Sequence, residues 1–188
     1  RRGCRGALNC ASLWPMNLAS LRNLVPNLDG DRNLIRDAWK TLGRLPGGKV
    51  LFSRLVGRMA PYTGTIHATV TVLRDGHAEV EMRDRPELRN HLKSVHAVAL
   101  ANLAELTGNI AMAYSMPDDA RFIVAGMSLD YVKKARGTIT GVCDCPVPRS
   151  AGRTEYPVQV SLRDAGGDEV VRATLRTLVG PKRPTMVN

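Results

Sequence analysis

Apolar and polar positions alternate along this chain with two different periods, and the change of period marks its elements. From Thr65 to Val72, Ile66, Ala68, Val70 and Val72 alternate with Thr65, His67, Thr69 and Thr71. That period of two predicts a strand with one buried face. Asp75-Gly76 predicts a turn, and Ala78, Val80 and Met82 alternating with Glu79 and Glu81 predict the return strand of a β-hairpin. The alternation then stops. From Ser94, the expected N-cap, the chain runs without proline to Ser115 and is halted by Pro117, which predicts a helix of about six turns. Four further strands are expected over 121–133, 137–145, 154–163 and 169–179, the last two joined by a turn at Asp164–Asp168 that contains Gly166-Gly167. Ahead of the hairpin, Leu34, Ile35, Ala38, Trp39 and Leu42 recur at helical spacing, as do Leu51, Leu55 and Met59 after Pro46-Gly47-Gly48. These predict amphipathic helices that cover the open side of the sheet or cap a pocket.

The long helix carries one carboxylate, Glu105, in an otherwise apolar interior. A buried acid is costly unless it is used or neutralised. On a wheel of ~100° per residue, Val98, Asn102, Glu105, Asn109 and Met116 fall within roughly 60° of one another, so a polar stripe runs along the helix and needs a polar environment. The other sides carry Ala97, Ala99, Ala101, Ala104, Gly108, Ala111 and Ala113, small residues that let a sheet approach closely. His96, Asn102, Glu105, Thr107 and Asn109 make the stretch too polar to span a membrane, so it reads as a central core helix.

The order strand, strand, long helix, four strands, with Asn90, His96-Ala97-Val98 and Glu105 at their spacing, resembles the hotdog-fold acyl-CoA thioesterases. The resemblance is to members related to the phenylacetate-pathway thioesterases, and especially to a poorly characterised branch of that superfamily. In those proteins an Asn precedes a His-Gly-Gly at the helix start, and an Asp or Glu follows the first glycine by eight residues, as Glu105 follows Ala97. The resemblance covers about Thr63 to Val179. It implies an α+β hotdog fold, with a curved antiparallel sheet wrapped around one long central helix and N-terminal helices added. It also implies hydrolysis of an acyl-CoA thioester to free acid and thiol, with no metal and no cofactor beyond the coenzyme A of the substrate.

Thioester hydrolysis needs a donor where charge develops on the carbonyl oxygen, and an unpaired N–H in the first turn of a helix supplies one. By resemblance the Ala97 N–H takes that role, with His96 beside it. Glu105 is nucleophile or general base, and Asn90 orients the water or the thioester carbonyl. Val98 and Asn109 are expected to touch substrate. About 12 Å of helix rise separates Ala97 from Glu105. The resemblance resolves this through a homodimer or tetramer, with Asn90 and Ala97 from one chain and Glu105 from the other. This chain departs from the family pattern at the two glycines, which are Ala97 and Val98 here. A hydroxyl that some members place on the strand after the helix falls near Val124, with Ser128 a shifted candidate. The alternative reading is a non-catalytic hotdog acyl-binding or interaction module, in which Ala97 and Val98 close the oxyanion site.

The 188 residues fit one domain with a sizeable core, and 44% are hydrophobic. Residues 1–28 contain no acid and are expected to be a disordered extension or a processed remnant. Residues 29–182 are expected to be a single domain, with helices over 29–60 and the hotdog core over 63–179, and 183–188 a tail. A cytoplasmic location is expected, or an organelle matrix if 1–28 is a transit segment. The formal net charge is +10, of which Arg1, Arg2 and Arg5 supply +3. A basic surface suits the phosphates of coenzyme A, and Lys133, Lys134 and Arg136 are the candidates, a solvated turn being the other reading. Only 4% of residues are aromatic, and there is no zinc-finger spacing, RNA-recognition signature or basic helix, so nucleic acid is not an expected partner. Cys143 and Cys145 share one face of a strand but are too few for a metal site, and reduced thiols are expected. Gly47-Gly48-Lys49 lacks the spacing of a phosphate-binding loop, and no serine nucleophile elbow is present.

Overall fold

The computed structural model describes residues 32–182. The expectations for residues 1–28 and 183–188 lie outside the described residues. Helices α1 (Leu34–Leu42), α2 (Gly48–Met59) and a single turn α3 (Pro61–Gly64) precede strands β1 (Thr69–Arg74) and β2 (His77–Met82). The long helix α4 (Ala97–Ser115) follows, then β3 (Ala120–Tyr131), β4 (Ile139–Asp144), β5 (Thr154–Arg163) and β6 (Glu169–Pro181). The six strands form one antiparallel sheet in the order β1-β2-β4-β5-β6-β3. This is the hotdog fold.

The inner face of the sheet packs on α4 through Val80, Met82, Ile139, Val158, Val160, Leu162, Leu175 and Val179, all buried. The small residues of the helix permit this closeness. Leu103, Ala104, Ala111 and Met112 are fully buried, and a Cβ added at Gly108 would lie 2.9 Å from Leu175 Cδ2. On the sheet side, a Cβ at Gly141 would lie 2.3 Å from Thr107 Oγ1, so β4 touches the helix where both lack bulk. Thr107 directs its hydroxyl to the Leu103 carbonyl (2.7 Å), satisfying itself inside this contact.

Helix α1 docks on the C-terminal end of α4. Asn33 caps α1, its Oδ1 accepting from Arg36 N–H (3.0 Å), while its Nδ2 donates to the carbonyls of Ala113 (2.7 Å) and Met116 (3.2 Å). Arg36 donates to the carbonyls of Tyr114 (2.9 Å) and Met116 (2.5 Å) and lies over the Tyr114 ring. Trp39 and Phe52 then meet edge to face with centroids 5.0 Å apart, joining α1 to α2. At the hairpin, Gly76 adopts φ +71°, and its N–H donates to Ser115 Oγ (2.8 Å), tying the turn to the same helix end.

Strands β3, β4 and β6 end within two residues of the expected bounds, and two element starts differ for reasons the contacts show. The strand expected from Thr65 begins at Thr69. Thr65 instead ends the α3 turn, its hydroxyl on the Tyr62 carbonyl (2.6 Å), and His67 takes a left-handed φ of +48°, so the alternation over 65–68 belongs to a bend. The helix expected from Ser94 begins at Ala97 with His96 as N-cap. The Ser94 hydroxyl is held by Asn90 Oδ1 (3.1 Å) in the preceding loop and is not available to cap.

Candidate active site

The loop entering α4 is built before the helix starts. Asn90 Oδ1 accepts from Leu92 N–H (2.9 Å), Ser94 N–H (3.3 Å) and the Ser94 hydroxyl (3.1 Å), an Asx-type turn that folds the segment on itself. With three donors aimed at one amide atom, that atom is the oxygen, and Nδ2 is the group left to donate outward. Val95 N–H then pairs with the Ala135 carbonyl (2.9 Å), and His96 N–H with that of Leu88 (2.7 Å). Asp84 accepts from Arg89 Nε (2.8 Å) and Gly137 N–H (3.0 Å), clasping the two segments that flank this contact. The Arg89 guanidinium, with the Gly137 amide, holds the Asp84 carboxyl below its ordinary range.

At the helix start, His96 Nδ1 accepts the Val98 N–H (3.1 Å), satisfying one of the first-turn amides. The Ala97 N–H has no acceptor among the described residues, and Ala97 and Val98 are both exposed, Val98 by 52%. Ala97 is thus an exposed residue with an unpaired backbone N–H, whereas His96 uses its Nδ1 to cap the helix. Tyr131, from the end of β3, places its hydroxyl 3.2 Å from the Ala97 carbonyl. Sequence reasoning did not single it out. The register explains why: Ala125 is an extra residue bulged out of β3 between Val124, opposite Thr177, and Gly126, opposite Arg176. Arg176 lies across the bare Cα of Gly126 and donates to the Ala125 carbonyl (3.2 Å). Beyond the bulge the inward positions become Met127, Leu129 and Tyr131, opposite the buried Leu175, Ala173 and Val171, and Ser128 is turned to the outer face. Ser128 is therefore not the missing hydroxyl.

Glu105 is half-buried rather than enclosed, and it makes no hydrogen bond or ion pair with the described residues. The stripe it shares with Asn102 and Asn109 is incompletely satisfied. Asn102 Nδ2 donates to the Tyr62 carbonyl (3.2 Å), but the Oδ1 atoms of Asn102 and Asn109 are both buried without a partner among the described residues. One turn beyond Glu105, Asn109 lines a groove of about 270 Å³ closed by Ile35 of α1, Met59 of α2, Ala113 of α4 and Phe122 of β3. This groove is mostly apolar and runs towards the C-terminal end of α4.

The three candidate cations separate. Lys133 is held between Asp164 (2.9 Å) and Asp168 (2.5 Å) of the β5–β6 turn, and both carboxylates raise its pKa. It is a turn clamp and not a free phosphate ligand. Lys134 and Arg136 are exposed and flank Ala135, whose carbonyl takes the Val95 N–H, so they stand beside the helix entrance. Cys143 is buried and Cys145 half-buried on β4 and just past it; both are free thiols. The neighbouring Cys145 sulfur, with burial, pushes the Cys143 thiol far up, and the same neighbourhood, with the Ser115 hydroxyl, lowers that of Cys145. Among the described residues no group of three or more His, Cys, Asp or Glu is placed to hold a metal ion, and no helix is long and apolar enough to cross a membrane.

Residues 48–179 match a family described as a domain of unknown function (DUF4442). No curated protein matches the chain. Among solved structures, one known only as a genomics target is similar at 29% identity with a TM-score of 0.68, covering 78% of this chain and 98% of that one. A Pseudomonas aeruginosa protein of unknown function, named a probable thioesterase, is similar at 23% identity with a TM-score of 0.63, covering 73% of this chain and 97% of its own. A Streptococcus mutans protein solved bound to acetyl CoA is similar at 20% identity with a TM-score of 0.52, covering 61% of this chain and 90% of its own. The last two likenesses are likenesses of fold.

Proposed function

The chain belongs to the DUF4442 family, a family of hotdog proteins, and from that premise we propose that it hydrolyses an acyl-CoA thioester to the free acid and coenzyme A. The observation that carries this reading is the unpaired backbone N–H of the exposed Ala97 at the first position of α4, on a helix whose open stripe carries the unpartnered carboxylate of Glu105. The acetyl CoA bound by the S. mutans protein of the same fold supports the substrate class.

In this mechanism the thioester carbonyl oxygen accepts from the Ala97 N–H, where the helix dipole favours the developing negative charge. Asn90 Nδ2, held by the fixed Oδ1, donates to the carbonyl or to water. Glu105 removes a proton from the attacking water or attacks the carbonyl carbon itself, and the thiolate of coenzyme A leaves. The ~12 Å between Ala97 and Glu105 within one chain is closed in a homodimer, which also covers the exposed Val98, Met127 and Tyr131 beside the stripe. The acyl chain lies in the groove past Asn109, and Lys134 and Arg136 attract the phosphates at the helix entrance.

Thiol release from short, long and aromatic acyl-CoA substrates, measured for wild type and Glu105→Gln side by side, tests the proposal. Turnover by wild type that falls about 10²-fold or more in the variant is the expected result. One observation favours a second reading: with Val98 N–H taken by His96 and Ala99 buried, Ala97 is the one exposed first-turn residue with an unpaired amide to offer an oxyanion. If neither protein turns over any substrate but both bind acyl-CoA, the chain is an acyl-binding module.

A further inference from the structure

Between Asp37 and Asp75 the chain has no acidic residue and six basic ones, Lys40, Arg44, Lys49, Arg54, Arg58 and Arg74. Elsewhere the described arginines and lysines repeatedly meet carboxylates, as Arg36 meets Asp118, Arg89 meets Asp84 and Lys133 meets Asp164. None of these six is in an ion pair among the described residues. Unpaired cations occur elsewhere too, Lys134 and Arg136 among them, but on α1, α2, the turn between them and the edge strand six follow one another with no acid between.

The same region shows apolar side chains to solvent. On α2, Val50, Leu51 and Leu55 are exposed, and Leu45 and Tyr62, at its two ends, are exposed by 54% and 67%. At ~100° per residue Val50, Arg54, Arg58, Leu51 and Leu55 occupy one arc of about 140°, opposite the buried Phe52. Arginines are thus interleaved with the apolar tips instead of standing on a separate polar face. A wide groove of about 990 Å³ opens between this arc and β1.

We propose that this face binds an anionic lipid bilayer, with Leu45, Leu51, Leu55 and Tyr62 entering the interface and Arg54 and Arg58 reaching the headgroups. Interleaving suits a membrane, because an arginine stem lies along apolar surface while its guanidinium stays at the phosphates. A protein partner would have to bring a carboxylate to each arginine between the apolar tips, whereas an anionic bilayer presents phosphates and an apolar interior together along the whole face. A second copy of this chain is also disfavoured, since a symmetric contact would bring two sets of unpaired cations together. The groove beside this face is lined by neither Ala97 nor Glu105, so the proposal needs no assumption about the reaction.

Flotation of the full chain with vesicles tests this. Wild type should float with phosphatidylcholine containing about one-third phosphatidylglycerol, weakly with phosphatidylcholine alone, and less as salt rises. Arg54→Ala and Arg58→Ala should each weaken partition about fivefold and together about thirtyfold. Leu51→Ser with Leu55→Ser should lose tenfold or more. Both double variants sit on exposed positions and should keep the wild-type circular dichroism and melting temperature. No flotation on anionic vesicles, or flotation that the arginine variants leave unchanged, overturns the proposal. So does a fall in oligomer size by light scattering in the leucine variant, which would make this face a contact between copies.

Discussion

The two ends of α4 are treated in opposite ways. At the C-terminal end, the carbonyls of Ala113, Tyr114 and Met116 are all taken by Asn33 and Arg36, side chains from a helix that begins some eighty positions earlier. At the N-terminal end, one side chain caps one amide, and the N–H groups of the exposed Ala97 and the buried Ala99 are left without an acceptor among the described residues. Each end of any helix leaves about four backbone groups without intrahelical partners. A chain that saturates one end with distant side chains and leaves the other open is stable at the first and receptive at the second. The small residues of α4 serve the first purpose along its length, through the close contacts at Gly108 and Gly141. The open stripe of Val98, Glu105 and Asn109 serves the second.

The largest effect should come from closing the open end. Proline is tolerated at the first position of a helix, where its missing N–H has no intrahelical acceptor. The residue before it should be extended, and His96 already is, with φ −66° and ψ 139°. Ala97→Pro therefore deletes one backbone donor while keeping the helix. On whichever acyl-CoA the wild type hydrolyses, kcat should fall about 10²- to 10³-fold, with the melting temperature nearly unchanged, and Ala97→Gly should keep turnover. Full activity in a folded Ala97→Pro protein would place the oxyanion donor elsewhere and remove the functional half of the contrast.

Opening the closed end should do the reverse. Arg36→Ala leaves the Tyr114 carbonyl with only the long Asn33 contact (3.4 Å) and weakens the hold on Met116, at a cost of about 1–3 kcal/mol, and Asn33→Ala should cost a similar amount because it removes both the α1 cap and the Ala113 contact. Urea unfolding measures the loss. Activity per folded molecule should stay within a factor of about two, because the groups near Ala97 and Glu105 are untouched. A variant that keeps full stability but loses turnover would mean that α1 shapes the substrate groove more than it clamps the helix.

Much of this contrast was legible in the residues, and the parts that were not share a cause. The period of two located β2, the ranges expected at 154–163 and 169–179 coincide with β5 and most of β6, and the run of alanines and glycine predicted a helix that a sheet could approach. The open stripe followed from the wheel. What periodicity cannot register is an interruption of itself. The extra residue at Ala125 reverses the facing of everything after it in β3, hiding Ser128 and presenting Tyr131. The left-handed bend at His67 leaves an alternation intact in the letters while the chain turns. Partnership is equally silent, since nothing local to Lys133 announces Asp164 and Asp168 across a turn, and nothing local to Ser94 announces that Asn90 uses its hydroxyl. Glu105 is read correctly as the lone acid of the helix, but its half-exposure depends on which face the N-terminal helices leave uncovered.

The smallest effect separates the two ends by acid. Asp84 joins Arg89 to Gly137 around the Val95–Ala135 contact, so the open end rests on a carboxylate, whose pKa the Arg89 guanidinium holds below the ordinary value of 3.8. A depressed carboxylate contributes stability that is fully present above its unfolded pKa and is lost as pH falls through the folded one. The closed end rests on the Asn33 amide and the Arg36 guanidinium bonded directly to backbone carbonyls, and its carboxylate, Asp118, meets Arg36 from an exposed position without holding any of those carbonyls. As pH drops below about 3.8, hydrogen exchange should therefore accelerate over residues 90–100 before it does over 110–116. Asp84→Asn should show fast exchange at the entrance already at neutral pH, with its difference from wild type shrinking in acid. If both segments lose protection together, the entrance is held by its backbone pairs alone, and the two ends of α4 differ in chemistry but not in resilience.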